Sequence, residues 1–290
     1  MQSIALRVAT ASLFVVALAA CGGGGSSATP TVTPISTTLP GIAATGLATP
    51  VANTATTPST AEGFWIGSSS TGTEVQLAVF ENGEMFGFYT SAGSLIGSFY
   101  GTTSDSTTTL SGSGYDRNYP TGSNTQGITY FGTVSSKNNI KINVKRSVGM
   151  RVPLFGGTVF TSNPDADVIA FTGDYSATYE QPATLENLAG TYLGFGNGSS
   201  ITRPVTVIVS TNGSITASYF SCVISGTASP HASGRNAFKV QTTFTGSGCG
   251  NPTESAFTAT GIAFYEPKNR QFNMMIGDQP IPHFTYVGLR

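Results

Sequence analysis

Charge is scarce in this chain. Asp, Glu, Lys and Arg supply 9% of the 290 residues, against a typical ~25% in globular domains. The formal net charge is −1, so no global field gathers nucleic acid or anionic lipid. Histidine is nearly absent. His231 lies in a turn-like Ser229-Pro230-His231-Ala232-Ser233-Gly234 and His283 beside Phe284. No G-x-S-x-G elbow accompanies either, so the parts of a Ser-His-Asp hydrolase are missing. Zinc-ligand clusters and phosphate-binding loops are missing too. Asp165-Ala166-Asp167 after Asn163-Pro164 offers oxygens for calcium, or simply a solvated turn. The 14 acidic residues mark out no carboxylate pair, because pairing for glycoside hydrolysis is spatial. The residues thus point to no cofactor, no metal and no catalytic group. Long apolar runs are also lacking. Residues 13–18, Leu-Phe-Val-Val-Ala-Leu, fall well short of the ~20 a membrane-spanning helix needs.

What is abundant is glycine, 36 residues, together with Ser and Thr. Polar character therefore comes from hydroxyls and backbone, as suits a turn-rich β protein outside the cytoplasm. At the start, Arg7, the short apolar run and the small residues Ala19-Ala20 have the form of a secretory signal peptide. Leu18-Ala19-Ala20-Cys21 resembles the lipobox of bacterial lipoproteins. That resemblance implies cleavage after residue 20, a diacylglycerol on the Cys21 sulfur and an acylated new amino terminus. At least two acyl chains result, enough for stable anchoring. Gly22, where an Asp would signal retention, fits outer-membrane sorting by analogy with the family; the periplasmic and cell-surface sides both stay open. An ordinary signal peptide with an incidental cysteine is the alternative. With Cys21 lipidated, Cys222 and Cys249 remain as a pair in an oxidising compartment.

Residues 22–60 hold no charged side chain but five prolines, Pro30, Pro34, Pro40, Pro50 and Pro58. Such a stretch buries no core and reads as a disordered Thr/Pro-rich stalk. At coil dimensions it reaches roughly 35 Å.

Beyond it, Val75, Leu77 and Val79 alternate as in a strand, Asn82-Gly83 follows, and then Met85-Phe86-Gly87-Phe88-Tyr89. An Asn-Gly pair between such runs predicts a hairpin with positive φ at both turn residues. The pattern returns. Gly190-Thr191-Tyr192-Leu193-Gly194 matches Gly63-Phe64-Trp65-Ile66-Gly67 at an offset of 127. Val205, Val207, Val209, Asn212-Gly213 and Tyr219 match at an offset of 130. This predicts an internal duplication, with modules at 61–180 and 184–290 joined by Gln181-Pro182-Ala183. Thr184 is expected to cap a single helical turn over 185–188. Module two offers strands near 190–195, 204–210, 214–220, 222–228, 236–245, 255–265, 271–276 and 282–287. The expected fold is all-β, two tandem small antiparallel β-barrels or sandwiches. Inward rows are expected to include Val75, Leu77 and Val79 with Phe86 and Phe88, then Val205, Val207 and Val209 with Phe238, Val240 and Phe264.

Gly63-Phe64-Trp65, the strand 74–80, Asn82-Gly83 and Gly87-Phe88-Tyr89 are similar to the first hairpin of the calycin barrels, the lipocalins and avidins. The single Trp leaves out the tryptophan-walled biotin pocket of avidins. Tandem β modules behind a lipobox and stalk also resemble surface lipoproteins that capture host proteins, such as transferrin-binding lipoproteins. Such a layout implies a binding or structural role, without enzymatic activity, at the end of a membrane anchor. A carrier of a small apolar ligand and an enzyme of unrecognised mechanism are the alternatives. Partner contacts, to protein or glycan but not nucleic acid, are expected on outer faces and loops, above all in 101–127, which reads as a flexible hydroxyl-rich loop with Tyr115, Arg117 and Tyr119 as anchors. A second candidate is the basic cluster Lys137, Lys141, Lys145, Arg146 and Arg151, five of the 12 basic residues left once Arg7 is removed. Lys141 and Lys145 alternate with Ile140, Ile142 and Val144. They face either an anionic partner or plain solvent on an edge strand guarded against pairing.

Overall fold

Period-two alternation becomes strand throughout the computed structural model, which describes residues 61–119, 124–146, 169–198, 201–249, 256–277 and 282–290. Cys21, the stalk, Arg151 and Asp165-Ala166-Asp167 lie outside these residues. The first eight strands are β1 (Gly63–Ser69), β2 (Glu74–Val79), β3 (Glu84–Ser91), β4 (Ser94–Asp105), β5 (Thr109–Asn118), β6 (Asn124–Ser135), β7 (Asn139–Arg146) and β8 (Ile169–Ser176). Each pairs antiparallel with the next, and β8 returns to β1, so the sheet closes as a barrel. The second eight are β9 (Gly190–Asn197), β10 (Thr202–Val209), β11 (Ser214–Tyr219), β12 (Cys222–Pro230), β13 (Ala237–Thr245), β14 (Ala256–Glu266), β15 (Gln271–Ile276) and β16 (Phe284–Leu289). They close in the same sequential order, β16 on β9. Closure decides against sandwiches and leaves no free sheet edge. A 3-10 turn (Ala177–Glu180) and α1 (Leu185–Leu188) connect the barrels. The Thr184 hydroxyl caps α1 by accepting from the Asn187 N–H at 3.3 Å.

The two barrels open alike. Trp65 Nε1 donates to the Ala61 carbonyl four residues back, and the Tyr192 hydroxyl donates to the Leu188 carbonyl at the same spacing. The β2–β3 turn has Gly83 N–H bonded to Phe80 O and Phe80 N–H to Glu84 O; the β10–β11 turn repeats this with Gly213, Ser210 and Ser214. Gly83 and Gly213 take φ of 79° and 83°. Asn82 and Asn212 do not share the positive φ expected of them. Each accepts a backbone N–H two residues on, Glu84 and Ser214, through its side-chain oxygen. The turn is the three-residue form, a type I turn closed by glycine in a bulge, where only the glycine needs the left-handed region. A Cβ at Gly83 would stand 2.5 Å from Thr103 O, and at Gly213 2.4 Å from Ala228 O.

Among its described residues, the stretch 101–127 is not one long loop. It is the end of β4, all of β5 and the start of β6, wall strands whose small residues read misleadingly as a flexible connection. Gly112 is small because β4 and the Tyr130 ring both crowd it; a Cβ there would stand 2.1 Å from Thr102 O and 2.5 Å from that ring. The alternating Ser111 and Ser113 are exposed.

Three apolar clusters form. The lumen of the first barrel holds Trp65, Val75, Leu77, Val79, Met85, Phe99, Tyr130, Ile140 and Phe171 among others. That of the second holds Tyr192, Val205, Val207, Val209, Ile215, Tyr219, Phe238, Val240, Phe244, Phe272, Met274 and Tyr286 among others. The third is a seam between the barrels, and it contains Phe86, Phe88 and Phe264. These three residues, expected inward, point out of their own barrels. Met85 and Tyr89 take the inward places on β3, Ala263 and Tyr265 those on β14. Phe264 meets Phe64 at 4.7 Å and Phe88 at 5.5 Å between ring centroids.

Candidate functional site

The anchors placed by sequence in 101–127 separate. β5 alternates, so Tyr115 and Arg117 point out and Asp116 points in. Arg117 is 3% exposed and Tyr119 4%. Arg117 Nη1 donates to Pro282 O at 2.9 Å in the β15–β16 connection of the second barrel. Tyr119 shares a 2.7 Å hydrogen bond with Ser98 and lies 5.5 Å from the Arg117 guanidinium. Burial pushes its phenol above the ordinary value. Both residues belong to the seam, where they join the barrels and meet no solvent. Tyr115 alone of the three stays half-exposed.

Polar bonds frame the seam. Asn273 Nδ2 donates to Gln76 Oε1 at 2.7 Å between the barrels. Glu266, 1% exposed, accepts from Ser176 and Thr178, both at 2.6 Å, and from Lys268 N–H. Its carboxylate thus ties the connection after β8 to the end of β14. Glu180 receives Lys137 at 2.6 Å and Arg235, and these donors hold its carboxyl below the usual range. Glu62 is pushed up by burial, against the pull of its hydrogen bond from Tyr179.

Described side chains crowd both lumens. In the second barrel the Tyr286 hydroxyl donates to Tyr192 O at 2.8 Å, and Tyr219 donates to Ile201 O. Burial pushes the Tyr192 phenol to about 12. The first barrel has a cavity of about 20 Å³, lined by Val75, Met85, Tyr89, Phe99, Asp116, Val144 and Phe171 among others. That admits roughly one water and is several-fold below the ~150 Å³ cavity that takes benzene. Asp116, 2% exposed, sets a carboxylate in its wall. Among the described residues no group of three His, Cys, Asp or Glu is placed to hold a metal.

Lys141 and Lys145 are exposed on the outer face of β7. Register places Asn143, between them in sequence, opposite Phe131 of β6, with Thr133 opposite Lys141 and Thr129 opposite Lys145. Phe131 is 54% exposed. Neither Phe131 nor Asp116 stood out in the sequence. Tyr130-Phe131 carried a signal for the first, because adjacent aromatics on a strand face opposite sides and Tyr130 fills the lumen.

Cys222 and Cys249 are bonded, fixing the β11–β12 turn to the β13–β14 connection. No helix among the described residues is long and apolar enough to cross a membrane.

No protein-family model matches the chain, and no curated protein matches it. Two solved structures align. A candidate outer membrane protein from Bacteroides fragilis is 14% identical over 79% of this chain and 96% of its own, with a TM-score of 0.22. A tryptophan variant of the vaccine antigen transferrin-binding protein B from Haemophilus parasuis is 8% identical over 75% of this chain and 65% of its own, with a TM-score of 0.23.

Proposed function

We propose that the chain is a lipid-anchored outer-membrane protein whose paired barrels form a binding head, held off the bilayer by the stalk and met by its partner on an outer face. Cys21 carries the anchor, and the role is binding rather than catalysis. The observation that supports outer-face binding is the filling of both lumens. Aromatic and aliphatic side chains occupy them, and the cavity in the first barrel is too small for a carrier's cargo. The seam supports a single head rather than two swinging modules, because apolar rings and buried hydrogen bonds join the barrels.

The test uses Cys21→Ser and the unaltered chain. Labelled fatty acid should be incorporated only into the unaltered chain, and only that form should stay with the outer-membrane fraction. Membrane retention of Cys21→Ser equal to that of the unaltered chain overturns the anchor. Protease added to whole cells then distinguishes the two sides of the membrane, and a small molecule found by mass spectrometry in the purified head revives the carrier reading.

A further inference from the structure

The outer face of β5–β8 combines three features. Phe131 is exposed by 54% yet stands in no apolar patch; its cross-strand neighbours are Ser111 and Asn143. Exposed hydroxyls surround it, from Ser111, Ser113, Thr129, Thr133 and Thr172. Lys141 and Lys145 flank it on β7, and neither makes a salt bridge among the described residues. The nearby acidic residue on this face is Asp174, whose backbone pairs with Asn139 at one end.

Edge protection does not account for these lysines. β7 is hydrogen-bonded to β6 on one side and β8 on the other, so there is no edge to guard. A protein partner is also poorly matched. Stable protein interfaces bury ~800 Å² a side around an apolar centre, and here the centre is a single ring. A lone exposed aromatic among hydroxyls offers one flat apolar surface of the size of a sugar ring, ringed by hydrogen-bonding groups. Lys141 and Lys145 lie ~13 Å apart along the strand at ~3.3–3.4 Å per residue, a span over which a short oligosaccharide presents more than one acidic group.

We propose that this face binds an acidic polysaccharide: Phe131 stacks on a sugar ring, Lys141 and Lys145 pair with carboxylates on neighbouring sugars, and the Ser and Thr hydroxyls exchange hydrogen bonds with its hydroxyls. The proposal rests on the outer-face reading above. It is tested on the full chain in detergent by affinity electrophoresis through gels containing polygalacturonate, neutral dextran or polyglutamate. Polygalacturonate should retard the chain, less so as salt is raised, and dextran should not. Lys141→Gln with Lys145→Gln should weaken binding at least roughly fivefold. Phe131→Ser, whose side chain packs in no core, should weaken polygalacturonate binding while leaving the melting temperature within about 2 °C. No retardation by polygalacturonate overturns the proposal, as does retardation equal in all variants. Polyglutamate bound as tightly and without regard to Phe131 overturns it too, since charge alone would then suffice. A ligand found inside the lumen overturns the outer-face reading itself, whereas failure to bind polygalacturonate with an empty lumen overturns only the saccharide.

Discussion

Truncating Phe264 to Ala removes the ring at the centre of the seam. The side chain is 2% exposed and touches Phe64 and Phe88 of the other barrel. Truncating a buried Phe costs about 3–5 kcal/mol, cavity included. Here the loss falls on the coupling between barrels, because the side chain leaves its own lumen untouched. At 2–4 °C per kcal/mol for a unit of this size, the melting temperature should fall by roughly 6–20 °C. Two probes resolve where. Trp65 is the single Trp and lies in the first lumen, fully buried, so its fluorescence reports that barrel alone. Far-UV circular dichroism reports both. In the unaltered chain the two melting curves should coincide; in Phe264→Ala they should separate as each barrel unfolds for itself. A shift under about 2 °C with coincident curves would refute the seam's role, and so would two separate transitions in the unaltered chain.

Reduction of Cys222–Cys249 opens a loop with a sequence separation of 27, worth about 3–4 kcal/mol in the chain-entropy description. The dichroism transition should drop on reduction, and the Trp65 transition should follow only as far as the seam transmits the loss; no change in either would count against a stabilising bond. His231 stacks near Phe80 at 5.0 Å and accepts the Ser233 N–H on Nδ1. Burial lowers its pKa below the ordinary ~6.5, Glu81 and Glu84 pull it back up and Lys239 adds to the lowering. The neutral ring is favoured in the fold. Its contribution is therefore present above the unfolded pKa and lost as pH falls through the folded one. His231→Gln should flatten part of the stability loss below about pH 6.5 in denaturant titrations, and a curve parallel to the unaltered chain would contradict this.

Strand positions were legible because period-two alternation and turn residues are local signals; the choice between barrels and sandwiches was not, because closure pairs the first strand of each module with its last. All eight strands suggested for the second module overlap β9–β16. The stretch 101–127 was misread because its Gly and hydroxyl residues have the composition of a loop. The reason for a glycine at 112, the Thr102 carbonyl and the Tyr130 ring packed against it, is contact with the two neighbouring strands. Arg117 and Tyr119 looked like interface anchors and are interface residues, but the interface is within the chain. Cross-strand register alone brought Phe131 between Lys141 and Lys145, and no local pattern carries register across a turn.

The seam, by contrast, had a sequence signal that only the duplication exposes. At the offset of 130, inward residues of the first hairpin match in kind: Val75 with Val205, Leu77 with Val207, Val79 with Val209, Met85 with Ile215, Tyr89 with Tyr219. Outward residues do not. Gln76, Phe80, Phe86 and Phe88 correspond to Thr206, Ser210, Thr216 and Ser218. In the first copy these outward positions are buried or half-buried against the other barrel; in the second they are exposed. Two copies of one hairpin with the same inner row need the same lumen. An outer row that is aromatic in one copy and hydroxylated in the other means that only one of them is covered. Ala78 and Ile208 bear this out in reverse: the covered copy has the small residue, packed fully at the seam, and Ile208 is left 48% exposed. The aromatic excess on the outside of β2 and β3 is therefore the imprint of the second barrel on the first. The free copy of that face, on β10 and β11, shows what the hairpin looks like where nothing covers it.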